Sequence, residues 1–159
     1  MSDRGVDHRR LLAALAGIAG LALLVRVVAL GGRVFHWDEA RVGYWTLRYL
    51  ETGVWEYRPV VHGPLLFHVN EFLFGAVGPA DGVARWFVAL VGGLLPLSAW
   101  LFRNQLEDLE VIALALWLTA NPVLLYYGRF MRNDVLVAGF ALVAVGFALR
   151  FLETRREWA

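Results

Sequence analysis

Residues 11–30 read LLAALAGIAGLALLVRVVAL, and after the spacer GGRV the chain continues FHWDEARVGYW (35–45). The first stretch decides the fold. Its twenty residues, all but one apolar and rising about 1.5 Å each, make a helix of roughly 30 Å, the thickness of a bilayer's hydrocarbon core. Its one charge, Arg26, lies near the end, where a long side chain is expected to snorkel to the interface. The second stretch then sets two adjacent acids, Asp38 and Glu39, beside that membrane exit, among His36, Trp37, Tyr44 and Trp45.

The whole chain agrees with the first stretch. Of its 159 residues 59% are hydrophobic, and the mean hydropathy is +0.56. A soluble domain of this length needs more polar surface, whereas a lipid-facing surface is itself apolar. The net charge of +1 offers no electrostatic case for nucleic acid. Cysteine is absent, which excludes disulfides, thiolate nucleophiles and Cys-based metal sites. All fifteen basic residues are arginine, which is read as codon bias rather than chemistry.

Three further apolar segments follow: Val83–Phe102, kinkable at Pro96; Leu109–Gly128, with Pro122 near its far end; and Val135–Leu152. Small residues four apart (Ala16/Gly20, Ala89/Gly93, Ala144/Ala148) are expected to let these helices approach closely. Ala29-Leu30-Gly31 resembles a signal cleavage site, but the run before it is long for a signal peptide. Arginines divide seven against seven between the two sides, so counting positive charge does not orient the chain. The basic amino terminus with Arg9 and Arg10 favours a cytoplasmic start. The expected fold is therefore an all-α membrane protein of four transmembrane helices in the cell membrane, forming one module with both termini cytoplasmic.

That topology leaves a long exoplasmic loop, Gly31–Gly82, and a short exoplasmic segment, Tyr126–Asp134. Within the long loop, Glu39–Thr52 and Leu65–Val77 mix arginines or polar groups with aromatics and read as interfacial helices. The inner loop Arg103–Leu109 reads as a solvated turn.

Three clusters carry candidate chemistry. Neighbours on a helix point about 100° apart, so Asp38 and Glu39 do not address one atom. One faces a reaction centre as a general base while the other orients a neighbour, or both merely favour a helix N-terminal dipole. In GRFMRND (128–134), Arg129, Arg132 and Asn133 share a face if helical, and two guanidinium forks suit a phosphate. An Arg pair on bulk headgroups, with Asp134 as a helix cap, is the plainer alternative. Arg85, beside Trp86, reads equally as a snorkelling anchor or a phosphate ligand. His62 and His68, with His36 and the acids, form a candidate nitrogen–oxygen set for a divalent metal, but no H-x-x-x-H or H-E-x-x-H spacing occurs. Histidines bonded to backbone are the plainer reading, and no metal or other cofactor is assigned.

The order of these motifs resembles the amino-terminal part of GT-C glycosyltransferases, among them the protein O-mannosyltransferases and the aminoarabinose lipid A transferases. The DE follows the first helix; HGPL (62–65), Phe74-Gly75 and Arg85 come next; a Pro-containing third helix runs into GRFMRND (128–134). HWDEARVGYW and GRFMRNDV are most similar to a haloarchaeal flippase-activity-associated branch linked to protein N-glycosylation. The resemblance covers about Leu11 to Leu152. It implies an inverting transferase using a polyprenyl- or dolichyl-phosphate sugar, with the first-loop acid, here Asp38, as catalytic base. Glu39, His62 and Asp134 map to supporting positions, and Arg129 and Arg132 to the lipid phosphate. Such proteins are several times longer, so the chain is expected to be a fragment, a truncated remnant, or half of a split enzyme completed by a carboxy-terminal partner. The alternatives are a non-catalytic component that binds or helps translocate lipid-linked sugar, and a structural membrane protein with aromatic belts.

Overall fold

The computed structural model describes residues 4–54 and 63–157. Among them every regular element is helical. The helices are α1 (Arg4–Val27), α2 (Trp37–Thr52), α3 (Pro64–Val77), α4 (Asp81–Leu94), α5 (Asp108–Ala120), α6 (Pro122–Tyr127) and α7 (Asp134–Glu157), with a 3-10 helix, Leu95–Phe102, continuing α4. Three helical stretches are long and apolar enough to cross a membrane: His8–Val27, Asp81–Phe102 and Asp134–Arg155. Their outward faces carry large exposed apolar side chains such as Leu24, Leu90 and Phe147, as a lipid environment requires.

The expected third span is broken. Leu109–Gly128 divides at Asn121 into α5 and α6. Pro122 cannot donate to the helical ladder and forces the preceding residue out of the α region. Asn121 accordingly lies at φ −55°, ψ 121°, and its carboxamide oxygen accepts from the amides of Val123 (3.0 Å) and Leu124 (3.1 Å), starting a new helix. Pro96 acts more gently, for there the α-helix tightens into the 3-10 helix without a change of direction signal in the cap residues, Leu94 and Leu95 both staying right-handed.

Close packing uses different small residues from those expected. Only Ala89/Gly93 faces a neighbour: a Cβ on Gly93 would lie 2.8 Å from the Leu23 Cα of α1. Gly20 has open space around it, and Ala16, Ala144 and Ala148 are exposed. On α7 the seam is instead Gly139 and Gly146, seven apart, the latter against Leu101. Spacing identified small residues but not the face that turns inward.

Two core clusters result, one at each end of the bundle. Leu11, Leu15, Ala99, Val111 and Ala115 pack where the start of α1 meets the 3-10 helix and α5. The other end gathers Val42, Leu66, Ala84, Val88, Met131 and Leu136, and there α2 and α3 lie over the helix ends. Both acids sit at this second end.

Arg26 does not snorkel. It is fully enclosed, donating to the carbonyls of Ala22 (3.0 Å) and, across the bundle, Leu118 (3.3 Å). Gly92 and Gly128 make the space: a Cβ on either would come within 3.1 Å and 2.8 Å of the Arg26 Nε. That Nε has no hydrogen-bond partner among the described residues.

Candidate functional site

Helix α2 begins with a capping box built on histidine. His36 Nδ1 accepts from the Asp38 amide at 3.2 Å, and the Glu39 carboxylate accepts from the His36 amide at 3.1 Å. His36 is thereby a backbone-bonded cap. The cap also settles the direction of the two acids, because it draws Glu39 inward and leaves Asp38 at the rim. Glu39 is fully buried, while the Asp38 side chain is 35% exposed.

Glu39 is the hub of this end. Arg85 of α4 forks onto it, Nε to Oε1 at 2.7 Å and Nη2 to Oε2 at 2.8 Å. The Met131 amide donates to Oε1 at 2.8 Å, and Arg33 reaches Oε2 at 3.4 Å. Burial pushes this carboxyl upward, but the Arg85 fork and the amides of Met131 and His36 outweigh it and hold the group below its ordinary range. A carboxylate so fully occupied has no lone pair facing a cavity. Glu39, expected at the catalytic centre, is therefore a scaffold joining α2, α4 and the segment before α7.

Arg85 and Arg129 are likewise placed differently from expectation. The Arg85 side chain is 1% exposed, and beyond Glu39 it donates to the carbonyls of Leu30 (3.0 Å) and Arg33 (2.8 Å). Arg129 donates to the carbonyls of Val25 (2.6 Å), Val28 (2.8 Å) and Ala29 (3.2 Å), in the last turn of α1 and the turn that follows it. Residues 128–133 form turns rather than a helix, so Arg129 and Arg132 share no face and point to different places.

Arg132 is the residue that meets the acids. Its Nη1 lies 2.8 Å from Asp38 Oδ2, and its Nε 3.1 Å from Asp134 Oδ2. The two adjacent acids thus engage two adjacent residues, Glu39 with the Met131 backbone and Asp38 with the Arg132 side chain. Beside this pair opens a cavity of about 440 Å³, within the range of small-ligand sites. Asp38, Arg41, Arg132, Asn133 and Asp134 supply its polar wall, with Leu66, Phe67 and Val137 among its apolar lining. Three helices begin here: α2 contributes Asp38 from its first turn, α3 its cap residue Gly63, and α7 its first residue Asp134. Converging N-termini add partial positive charge to that of the two arginines.

His62 lies outside the described residues. Among those described, no three His, Cys, Asp or Glu converge as metal ligands. His36 Nδ1 is 3.6 Å from Asp38 Oδ2, and His68 pairs instead with Glu71 at 3.0 Å on the outer face of α3.

No family model, curated protein or solved structure matches the chain. The likeness to GT-C enzymes rests on its motifs alone.

Sequence reasoning missed Arg41, Gly63 and Arg33. Arg41 stands one turn after Asp38, so it shares that acid's face of α2, a relation visible in the spacing once the helix start is known. The His-x-x-Glu cap could have located that start. Nothing local marks Arg33.

Proposed function

We propose that the chain is the catalytic-end module of a GT-C-type membrane glycosyltransferase, moving a sugar from a polyprenyl- or dolichyl-phosphate donor to an exoplasmic acceptor. The observation that carries this reading is the meeting of Asp38 with Arg132 in a cavity ringed by three helix N-termini. The arrangement suits a phosphate leaving group beside a base. In the resting site Arg132 pairs with both Asp38 and Asp134. A donor phosphate entering between Arg132, Arg41 and the helix N-termini competes for that guanidinium and frees an Asp38 oxygen. Asp38 then takes the proton of the acceptor hydroxyl. The acceptor oxygen bonds to the anomeric carbon from the face opposite the phosphate, and the C–O bond to phosphate breaks with its electron pair left on the phosphate oxygen. The configuration inverts.

In this reading the α5–α6 pair makes a fourth, broken crossing, both termini are cytoplasmic, and the acid-bearing end faces outward. Arg9 and Arg10 at the start of α1 support that orientation. The tight Asp38–Arg132 pair also favours a second reading, a lipid-linked-sugar binder without transfer, because a paired acid needs no base role.

Asp38→Asn separates the two in vesicles holding the protein, with labelled polyprenyl-phosphate sugar as donor. Loss of the base should lower transfer about 10²- to 10⁴-fold while donor binding persists. Unchanged transfer would overturn the catalytic role.

A further inference from the structure

A second cleft, sharing no lining residue with the Asp38 cavity, opens between the end of α1 and α6. It measures about 100 Å³ and is lined by Ala29, Leu30, Arg33, Arg85, Tyr126 and Arg129. That is room for a few waters, too small for a sugar. Three guanidiniums border it. Among the described residues the carboxylate in reach is Glu39, which already accepts from Arg85 and two amides, and Arg33 reaches it only at 3.4 Å.

Neither outer arginine has a carboxylate to itself, since Arg33 shares Glu39 with Arg85. Arg129 is fastened by carbonyl oxygens, which carry no net charge. Arg33 lies over the rings of Phe130 (4.8 Å) and Tyr126 (5.3 Å). Stacking fixes the plane of a guanidinium and leaves its N–H edge for an anion. Among the described residues Arg33 donates only from Nη2, at 3.4 and 3.5 Å, so Nε and Nη1 remain for a ligand.

The height of the cleft names the anion's source. The α1 span ends at Val27 and the α4 span begins at Asp81, which sets Arg33 and Arg129 at the headgroup level. Val25 in the last turn of α1 and Val28 just beyond it are exposed, as is Val123, one turn before Tyr126 on α6. They give an apolar flank for acyl chains below a cationic notch. We propose that this cleft binds the phosphodiester of an anionic phospholipid, anchoring the acid-bearing end to one leaflet independently of any donor lipid.

The test compares the purified chain in nanodiscs of phosphatidylcholine alone with nanodiscs containing phosphatidylglycerol, and in detergent with inorganic phosphate. Thermal unfolding and the phosphatidylglycerol retained in native mass spectrometry are the readouts. Phosphatidylglycerol should raise the unfolding temperature, and Arg33→Gln should abolish that gain and lower retained lipid about fivefold, the value of one surface arginine at an anionic bilayer. The variant's unfolding in phosphatidylcholine should match the parent's, because the Arg33 contacts are long, and that match shows the fold intact. Three outcomes would each overturn the proposal: equal stabilisation by phosphatidylcholine, equal stabilisation by inorganic phosphate, or a phosphatidylglycerol effect that survives Arg33→Gln.

Discussion

The two ends of the bundle begin from the same device and finish differently. At the end where α1 starts and α7 finishes, Arg150 donates to the carbonyls of Leu101 (3.1 Å) and Trp100 (3.0 Å), and Arg103 stacks 4.3 Å over Trp100. The nearby acid, Glu153, stays near the surface and accepts from Asn104 and Gln105. At the other end Arg129 and Arg85 also cap carbonyls, but Arg85 additionally grips a buried carboxylate. Capping alone closes a helix end. Burying Glu39 does more, because its fixed oxygens set the register of Met131 and so present Arg132 to Asp38.

Breaking the buried pair should have the largest effect. Glu39→Gln or Arg85→Met should each destabilise the protein by about 3–5 kcal/mol, since one charge is left unpaired inside. The double variant should cost less than the two added together; thermal unfolding in detergent measures both. Acid titration sharpens the point. Glu39 is held below its ordinary value of 4.5, so its contribution is complete above that pH and fades as the pH falls toward the lowered folded value. The Gln variant should show a shallower loss of stability in that acid window and the same flat profile at neutral pH.

Arg132→Gln comes next. Its ion pairs are partly exposed, so stability should fall by no more than about 1 kcal/mol, while donor binding and transfer weaken together. Full binding with Arg132 removed would detach the cavity from phosphate chemistry. Ala29 tests the capped end of α1 with the opposite sign. It holds φ at 53°, a left-handed conformation unfavourable to a side chain, so Ala29→Gly should stabilise by about 1 kcal/mol. The smallest effect belongs to the opposite end. Arg150→Met removes two carbonyl bonds but strands no buried charge, and should cost about 1 kcal/mol or less. A loss there as large as at Arg85 would erase the distinction between the ends.

Much of this was legible in the chain. Hydrophobic run length marked the membrane class and three of the spanning segments, and the mixture of aromatics with arginines or polar groups marked both helices of the long loop. The Asn121-Pro122 dipeptide carried the break in the remaining segment, although the apolar run concealed it. The pairing of the DE stretch with the segment before α7 was expected from helix counting, and Asp38–Arg132 realises it. The reading of 128–133 as a helix failed because Gly128 and the turns after it follow the contacts with α1 and Glu39, which no local pattern encodes.

Composition and periodicity alone determined that this protein is helical, built for lipid, and acidic beside one membrane exit. Those properties are summed over many residues and survive any arrangement of neighbours. Which acid turned inward, which arginine faced the cavity, and whether Arg26 reached water were decided by tertiary packing. Each depends on a partner from distant sequence: Arg85 for Glu39, Arg132 for Asp38, Gly92 and Gly128 for Arg26. A charge inside a bundle adopts the position its surroundings can satisfy, and those surroundings exist only once the helices have met.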